Sequence, residues 1–262
     1  MLRTRVISAI VLFVLVAGPS IAGGIVFLLL IAVIGVLATW EFAALLRQGG
    51  YQPVLPLGVL LALLFIAQAQ WPQVLPLDLV LVLAVIGSLL AALWHRSPAP
   101  ATDWALTLAG ALYLGWLLGR FVVLRALEDG LLWLLLAAVA IWTADVSAYF
   151  AGRAFGRHPW WPRHSPKKTW EGYLAGIAAA ALVAGLLGVL LLDLNWAEGV
   201  ALGLVIASVA PLGDLAESMI KRQVGAKDSG RLIPGHGGVL DRIDSLLIGV
   251  PIVLYWVLLR SL

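Results

Sequence analysis

The sequence contains no cysteine. Disulfides, thiolate metal ligands and thiol nucleophiles are therefore excluded. Charge is scarce too: 12% of the 262 residues are Asp, Glu, Lys or Arg, against about 25% in soluble domains. Three motifs of common chemistries are also missing. No Gly-x-Ser-x-Gly elbow marks acyl hydrolysis. No His-Glu-x-x-His marks a zinc protease, and no Walker A spacing of glycines and lysine occurs. The pI is about 9.4, yet no soluble domain carries a basic stripe with interleaved aromatics. Nucleic acid is therefore not an expected partner.

What the chain has instead is apolar surface. Hydrophobic residues make up 62% of it and the mean hydropathy is +1.02. No soluble fold of this length hides that much, so the chain reads as all-α, a polytopic integral membrane helical bundle. Nine apolar segments are predicted, at roughly 6–17, 20–38, 54–70, 76–93, 104–119, 131–151, 172–192, 197–214 and 246–259. They are continuous rather than alternating, which favours helices over a barrel. The opening MLRTR and the run after it imitate a signal peptide, but another apolar stretch follows at once, so we read a retained first span. Gly18–Pro19 is expected to break it from the second. We read one integral membrane unit, with N-terminal spans over 1–125 and a catalytic part over 126–262.

Loop charge gives the orientation. With the N-terminus in the cytoplasm and strict alternation, all but Arg120, Arg125 and Arg260 of the 17 Lys and Arg residues fall inside. This fits the positive-inside rule. Trp71, Trp94, Trp104, Trp133 and Trp196 fall at span ends, where indole rings prefer the headgroup layer. Two inside loops, 152–171 and 215–245, hold almost all the polar chemistry. The expected site thus faces the cytoplasm.

The second loop ends in PGHGGVLDRIDS. Asp241 and Asp244 stand three apart, which on a helix is one face. Two carboxylates aimed at one point repel unless a cation lies between them. Mg²⁺ suits them, because it binds through one or two carboxylates plus substrate phosphates. The plainer alternative is a solvated pair beside Arg242. Asp214 and Glu217 repeat the spacing, with Asp214 expected at the end of the eighth span after Pro211 and Gly213. A helix end paired through Glu217 and Lys221 explains Glu217 better than Asp214. Asp145 lies inside the sixth span. A lone carboxylate there costs about 2.5–3.5 kcal/mol, so it needs an Arg, a metal or a substrate group; a structural salt bridge is equally open.

Cations and glycines surround these acids. KRQVGAKDSGRLIPGHGG carries Lys221, Arg222, Lys227 and Arg231. Gly235, Gly237 and Gly238 would let backbone N–H groups approach a ligand closely, and His236 could bond a phosphate oxygen; a flexible turn is the alternative. In the first loop, Ser165–Pro166 reads as a helix N-cap followed by Pro. Lys167 and Lys168 would lie at headgroup height, with Glu171 as a partner for Lys168. Plain juxtamembrane anchoring is the alternative for the lysine pair. Carboxylates, cations and a glycine loop at a membrane face fit phosphates bridged by Mg²⁺. A lipid phosphate and a nucleoside triphosphate are the natural pair. The lipid phosphate is already an anion, so catalysis would be electrostatic and positional.

From Ser218 to Asp244 the chain closely resembles the signature of the phosphatidate cytidylyltransferases, or CDP-diacylglycerol synthases. The matching positions are Ser218, Lys221–Arg222, Lys227–Asp228, Pro234, His236–Gly237–Gly238, Asp241–Arg242 and Asp244. The Asp145 segment running into GRAFGRH, and SPKKTWEG, are similar too, so the resemblance covers roughly 142–245. It implies transfer of CMP from CTP to phosphatidic acid, with Mg²⁺ and a second cation, K⁺. It also implies Asp214, Asp241 and Asp244 as metal ligands. Lys221, Arg222, Lys227 and His236 would hold phosphates, with Lys221 and Lys227 in the catalytic set. Ser165, Lys167 and Lys168 would face the lipid phosphate or the nucleotide. Gly237, Gly238, Arg242, Ser218 and Asp145 complete the expected substrate-binding set. The expected partners are CTP, phosphatidic acid and membrane lipid, and the expected assembly is a homodimer. Two rivals fit less well. A CDP-alcohol phosphotransferase needs Gly after its Asp-x-x-Asp, where Ser245 follows here. A transporter would place acids near the midplane on inverted repeats, and no repeat is visible.

Overall fold

The structure is a computed structural model that describes residues 2–235 and 237–260. His236 and the side chains of Arg3 and Arg5 lie outside the described residues. The chain is helical almost throughout, as its apolar runs require: in hydrocarbon only a helix satisfies every backbone group within one segment. Among the described residues, seven helices are long and apolar enough to cross a membrane, and two shorter apolar helices, Ile10–Ala22 and Leu55–Gln70, accompany them. Large apolar side chains such as Phe13, Trp94 and Phe155 point outward, as lipid-facing surfaces do.

Two compact units are present. The first comprises 1–126 and 221–242. It contains α1 (Leu2–Ala22), α2 (Gly24–Gln48), α3 (Leu55–Gln70), α4 (Leu77–Trp94), α5 (Pro100–Gly110), a π-helical turn (Ala111–Trp116) and α6 (Leu117–Ala126). Pro at the start of α3 and α5 occupies positions whose N–H has no helical partner anyway. Leu61 and Phe65 of α3 pack with Val80 and Ala84 of α4 and with Ala111. Gly115 fits against α3 because a Cβ there would lie 2.7 Å from the Ala62 carbonyl oxygen.

The break expected at Gly18–Pro19 falls elsewhere. Helix α1 runs through Pro19 to Ala22, and the turn is made by Gly23 (φ 67°) and Gly24 (φ 51°). Arg125 explains the position: its Nε donates to the Ser20 carbonyl at 2.7 Å and its Nη2 to that of Ile21 at 3.0 Å. The guanidinium caps the end carbonyls of α1, which have no helical donors. Proline alone does not end a helix in a bilayer, where the surrounding protein can re-satisfy the freed group.

The second unit comprises 127–220 and 243–262. It contains α7 (Gly130–Phe155), a hairpin of β1 (Pro159–Trp161) and β2 (Ser165–Thr169), α8 (Trp170–Leu191), α9 (Trp196–Val209), most of α10 (Pro211–Gln223) and most of α11 (Leu240–Arg260). Helices α7, α8 and α9 meet through small residues. A Cβ on Gly172 would lie 2.6 Å from the Ala148 carbonyl oxygen, and one on Gly176 2.7 Å from that of Ala144. Lipid competes for apolar side chains as well as protein does, so close backbone approach of this kind supplies the packing.

The hairpin corrects a second expectation. Ser165–Pro166 does not open a helix; both residues lie in β2, antiparallel to β1. The N-cap of α8 is Thr169, whose Oγ1 accepts from the Gly172 N–H at 3.2 Å. Proline's fixed φ suits an edge strand as well as a first helical turn.

Candidate functional site

In the first unit the site is built around Asp241, in the first turn of α11. Its Oδ1 accepts from Lys221 Nζ at 2.8 Å, and Ser229 N–H is shared between Oδ1 (3.2 Å) and Oδ2 (3.1 Å). The Gly238 N–H donates to Oδ2 at 2.8 Å. Both ionic partners are nearly buried, at 11% exposure for the Lys221 side chain and 9% for Asp241. The loop reaches this arrangement by tight reversals. Helix α10 is closed by Gly225 (φ 72°), with Ala226 N–H donating to the Lys221 carbonyl at 2.8 Å. Ile233 and Gly237 form a short antiparallel bridge across Pro234 and Gly235. Gly235 and Gly237 have φ values of 79° and 85°, a region L side chains avoid. The Gly238 N–H, expected to face a ligand, points at Asp241. Arg222, Lys227, Arg231 and Arg242 are exposed along the loop and the start of α11.

Glu41, which the sequence analysis passed over, belongs to this group. It sits on α2, fully buried at 0% exposure. Its Oε2 accepts from the Leu240 N–H at 2.8 Å and the Ser229 hydroxyl at 3.3 Å. An acid inside an apolar run was the available signal, and Trp40-Glu41-Phe42 carried it.

In the second unit the focus is Asp214. The α9–α10 break places it in the first turn of α10, inside the candidate span Trp196–Gln223 rather than at its end. Pro211 supplies no N–H, and Gly213 N–H turns back to the Ala210 carbonyl at 2.9 Å. The Ser208 carbonyl accepts instead from Tyr173 Oη at 2.8 Å. Asp214 Oδ2 bonds Lys168 Nζ at 2.8 Å, and Oδ1 accepts from Ser218 Oγ at 3.1 Å. Lys168 also lies 5.7 Å from the centre of the Trp160 ring. Asp145 on α7 lies within electrostatic reach of both Lys168 and Asp214. Gly213 packs on the Asp244 carbonyl of α11, with no room for a side chain. So Asp145, Lys168, Asp214 and Ser218 come together, and the Asp244 backbone closes on the residue before Asp214.

The expected Lys168–Glu171 pair is not formed. Glu171 Oε1 bonds His158 Nδ1 at 2.6 Å, while Lys168 goes to Asp214. Strand geometry is the reason. Successive side chains in β2 face opposite ways, so Lys168 turns inward and Lys167 is exposed.

Among the described residues, no group of three or more His, Asp or Glu is preassembled to hold a metal. The donor chemistry nevertheless fits Mg²⁺. The acids at both foci are carboxylates partnered by lysines, and Mg²⁺ needs only one or two of them when phosphates supply the rest.

Comparison with known proteins adds the decisive observation. Residues 3–260 match the model of the cytidylyltransferase family. The chain belongs to that family. It is therefore a transferase, a nucleotidyltransferase with multiple membrane spans. A phosphatidate cytidylyltransferase of Brucella abortus is 37% identical, over 94% of this chain and 89% of its own. One from Synechocystis is 36% identical, over 97% and 96%. One from Bacillus subtilis is 33% identical, over 98% and 97%.

Proposed function

We propose that this chain transfers CMP from CTP to phosphatidate, yielding CDP-diacylglycerol and pyrophosphate for phospholipid synthesis. The observation that carries the reading is near-complete alignment with relatives of that activity, including the Bacillus subtilis protein over 98% of this chain. The two lysine–carboxylate foci supply suitable chemistry. A phosphatidate oxygen attacks the α-phosphorus of CTP in line. The new P–O bond forms as the bond to the β-phosphate oxygen breaks, and pyrophosphate leaves with that electron pair. The attacking oxygen is already anionic, so no general base is needed.

Lys221, Lys227, Arg222 and Arg242 neutralise the triphosphate and the departing pyrophosphate, with His236, Gly237 and Ser218 as further phosphate contacts, while Gly238, whose N–H is held by Asp241, shapes the loop. Asp241 holds the Lys221 ammonium at 2.8 Å, so that charge is in place before the nucleotide binds. Lys168, steadied by Asp214, orients the phosphatidate headgroup together with Ser165, Lys167 and Asp145. Asp214, Asp241 and Asp244 are the proposed ligands of Mg²⁺, which when bound withdraws charge from the phosphates. A second cation, K⁺, belongs to the same proposal. So do a homodimer and a bacterial inner-membrane location with the site facing the cytoplasm.

The test is purified protein in nanodiscs with phosphatidic acid, Mg²⁺ and CTP labelled at the α-phosphorus. Label should enter the lipid phase and depend on both phosphatidic acid and Mg²⁺. Label staying wholly in the aqueous phase rejects the reading.

A further inference from the structure

A carboxylate within an apolar span is costly, by about 2.5–3.5 kcal/mol on the most lenient scale, and Glu41 is buried completely. Its Oε1 has no hydrogen-bond partner among the described residues, and what compensates Oε2 is one short stretch of chain. Leu240 N–H and Ser229 Oγ donate to Oε2. Gly230 packs against Oε1, and a Cβ on Gly238 would lie 2.5 Å from Oε2. Four residues of the signature loop thus close around a carboxylate from a helix 199 positions away in sequence from Leu240.

Two of the four are the residues that hold Asp241. Ser229 and Gly238 turn their N–H groups to Asp241 and their other sides to Glu41. The Leu240 N–H is, in addition, one of the unpaired donors at the start of α11. An anion there both caps the helix and complements its dipole. Displacing Glu41 would therefore loosen the first turn of α11 and both amides that orient Asp241, and with it Lys221.

We propose that Glu41 is the positioning residue of this loop, holding Ser229, Gly238 and Leu240 so that Asp241 and Lys221 are fixed before the triphosphate arrives. The inference rests on the proposed function for its kinetic part only. Glu41 itself touches no reacting atom.

Two measurements on the full-length protein in nanodiscs test it. The first is hydrogen exchange of residues 225–240 in Glu41→Gln and Glu41→Ala, which needs no substrate. Exchange in this loop should rise at least ~10-fold in Glu41→Ala and less in Glu41→Gln, whose amide oxygen still accepts but without charge. Exchange in α7, α8 and α9 should not change. The second is steady-state kinetics. KM for CTP should rise at least ~10-fold in Glu41→Ala, on the same hydrogen-bond argument, while KM for phosphatidic acid stays within about twofold. Wild-type loop exchange in Glu41→Ala overturns the proposal. So does a uniform rise across all helices with both KM values unchanged, which would make Glu41 an ordinary core residue. Should Glu41→Ala not fold, Glu41→Gln decides by the same criteria. Should the wild-type protein make no CDP-diacylglycerol, the proposed function fails while the exchange result still judges Glu41.

Discussion

Replacing Asp241 by Asn keeps the side chain's size and changes two things. It removes the charge opposite Lys221, and it exchanges one acceptor for a donor. Lys221 Nζ bonds Oδ1 at 2.8 Å and Gly238 N–H bonds Oδ2 at 2.8 Å, with Ser229 N–H between them. Whichever way the amide turns, one donor faces an NH₂ group. Leaving a buried donor unsatisfied costs about 1–3 kcal/mol. Breaking a buried ion pair by removing one partner costs up to about 3–5 kcal/mol of stability; with side chains still 9–11% exposed, the lower end applies. That cost falls on folding stability. Losing one preorganised stabiliser of transition-state charge costs about 10²–10³-fold in rate, about 3 kcal/mol of barrier at the lower end, so kcat should fall at least ~10²-fold. The assay is transfer of label from CTP to lipid in nanodiscs, alongside thermal unfolding followed by tryptophan fluorescence. Combining Asp241→Asn with Lys221→Met separates the causes. Replacing that ammonium as well should restore part of the lost stability but none of the turnover. Wild-type turnover in Asp241→Asn, or turnover regained in the double variant, would refute the argument and leave a purely structural pair.

Three further outcomes are expected. Lys168→Met should lower kcat/KM at least ~10-fold, because it strips the charge-assisted bond from Asp214, whereas Lys167→Met on the opposite face of β2, with no such bond to lose, should lower it less than Lys168→Met does; equal effects in parallel rate measurements would contradict the strand alternation. Gly176→Val pushes into the Ala144 carbonyl and should destabilise the protein by about 1–3 kcal/mol, read as a lowered unfolding midpoint in detergent, and an unchanged midpoint would deny the close approach of α7 and α8. Tyr173→Phe removes only the bond to the Ser208 carbonyl, so stability should drop by about 1 kcal/mol with the folded protein still active, and complete inactivation would assign Tyr173 a direct part in the chemistry.

The membrane helices were legible because their signal is local. Residues 77–94 are apolar enough that no tertiary arrangement is needed to recognise a span. The signature loop was legible for another reason: its residue types carry their chemistry wherever they lie. What misled was pairing. Lys168 had Glu171 three positions on, yet its ammonium lies on Asp214. Ser165–Pro166 satisfied a capping rule, yet Thr169 performs the cap. Gly18–Pro19 had the composition of a break, yet Arg125 settles the turn at Gly23. Each error came from scoring a residue against near neighbours when a distant group had the better geometry.

The sequence by itself determined that the chain lives in a membrane, that helices cross it, and that its acids and cations suit phosphate chemistry. These follow from side-chain transfer energies and charge, which are properties of the residues. Only the tertiary structure decided that Glu41 underlies the signature loop, that Asp241 takes Lys221, and that Asp214 takes Lys168. Hydrogen bonds and ion pairs fall away within a few tenths of a nanometre, so their partners are chosen by where the backbone passes, and sequence distance carries no trace of that.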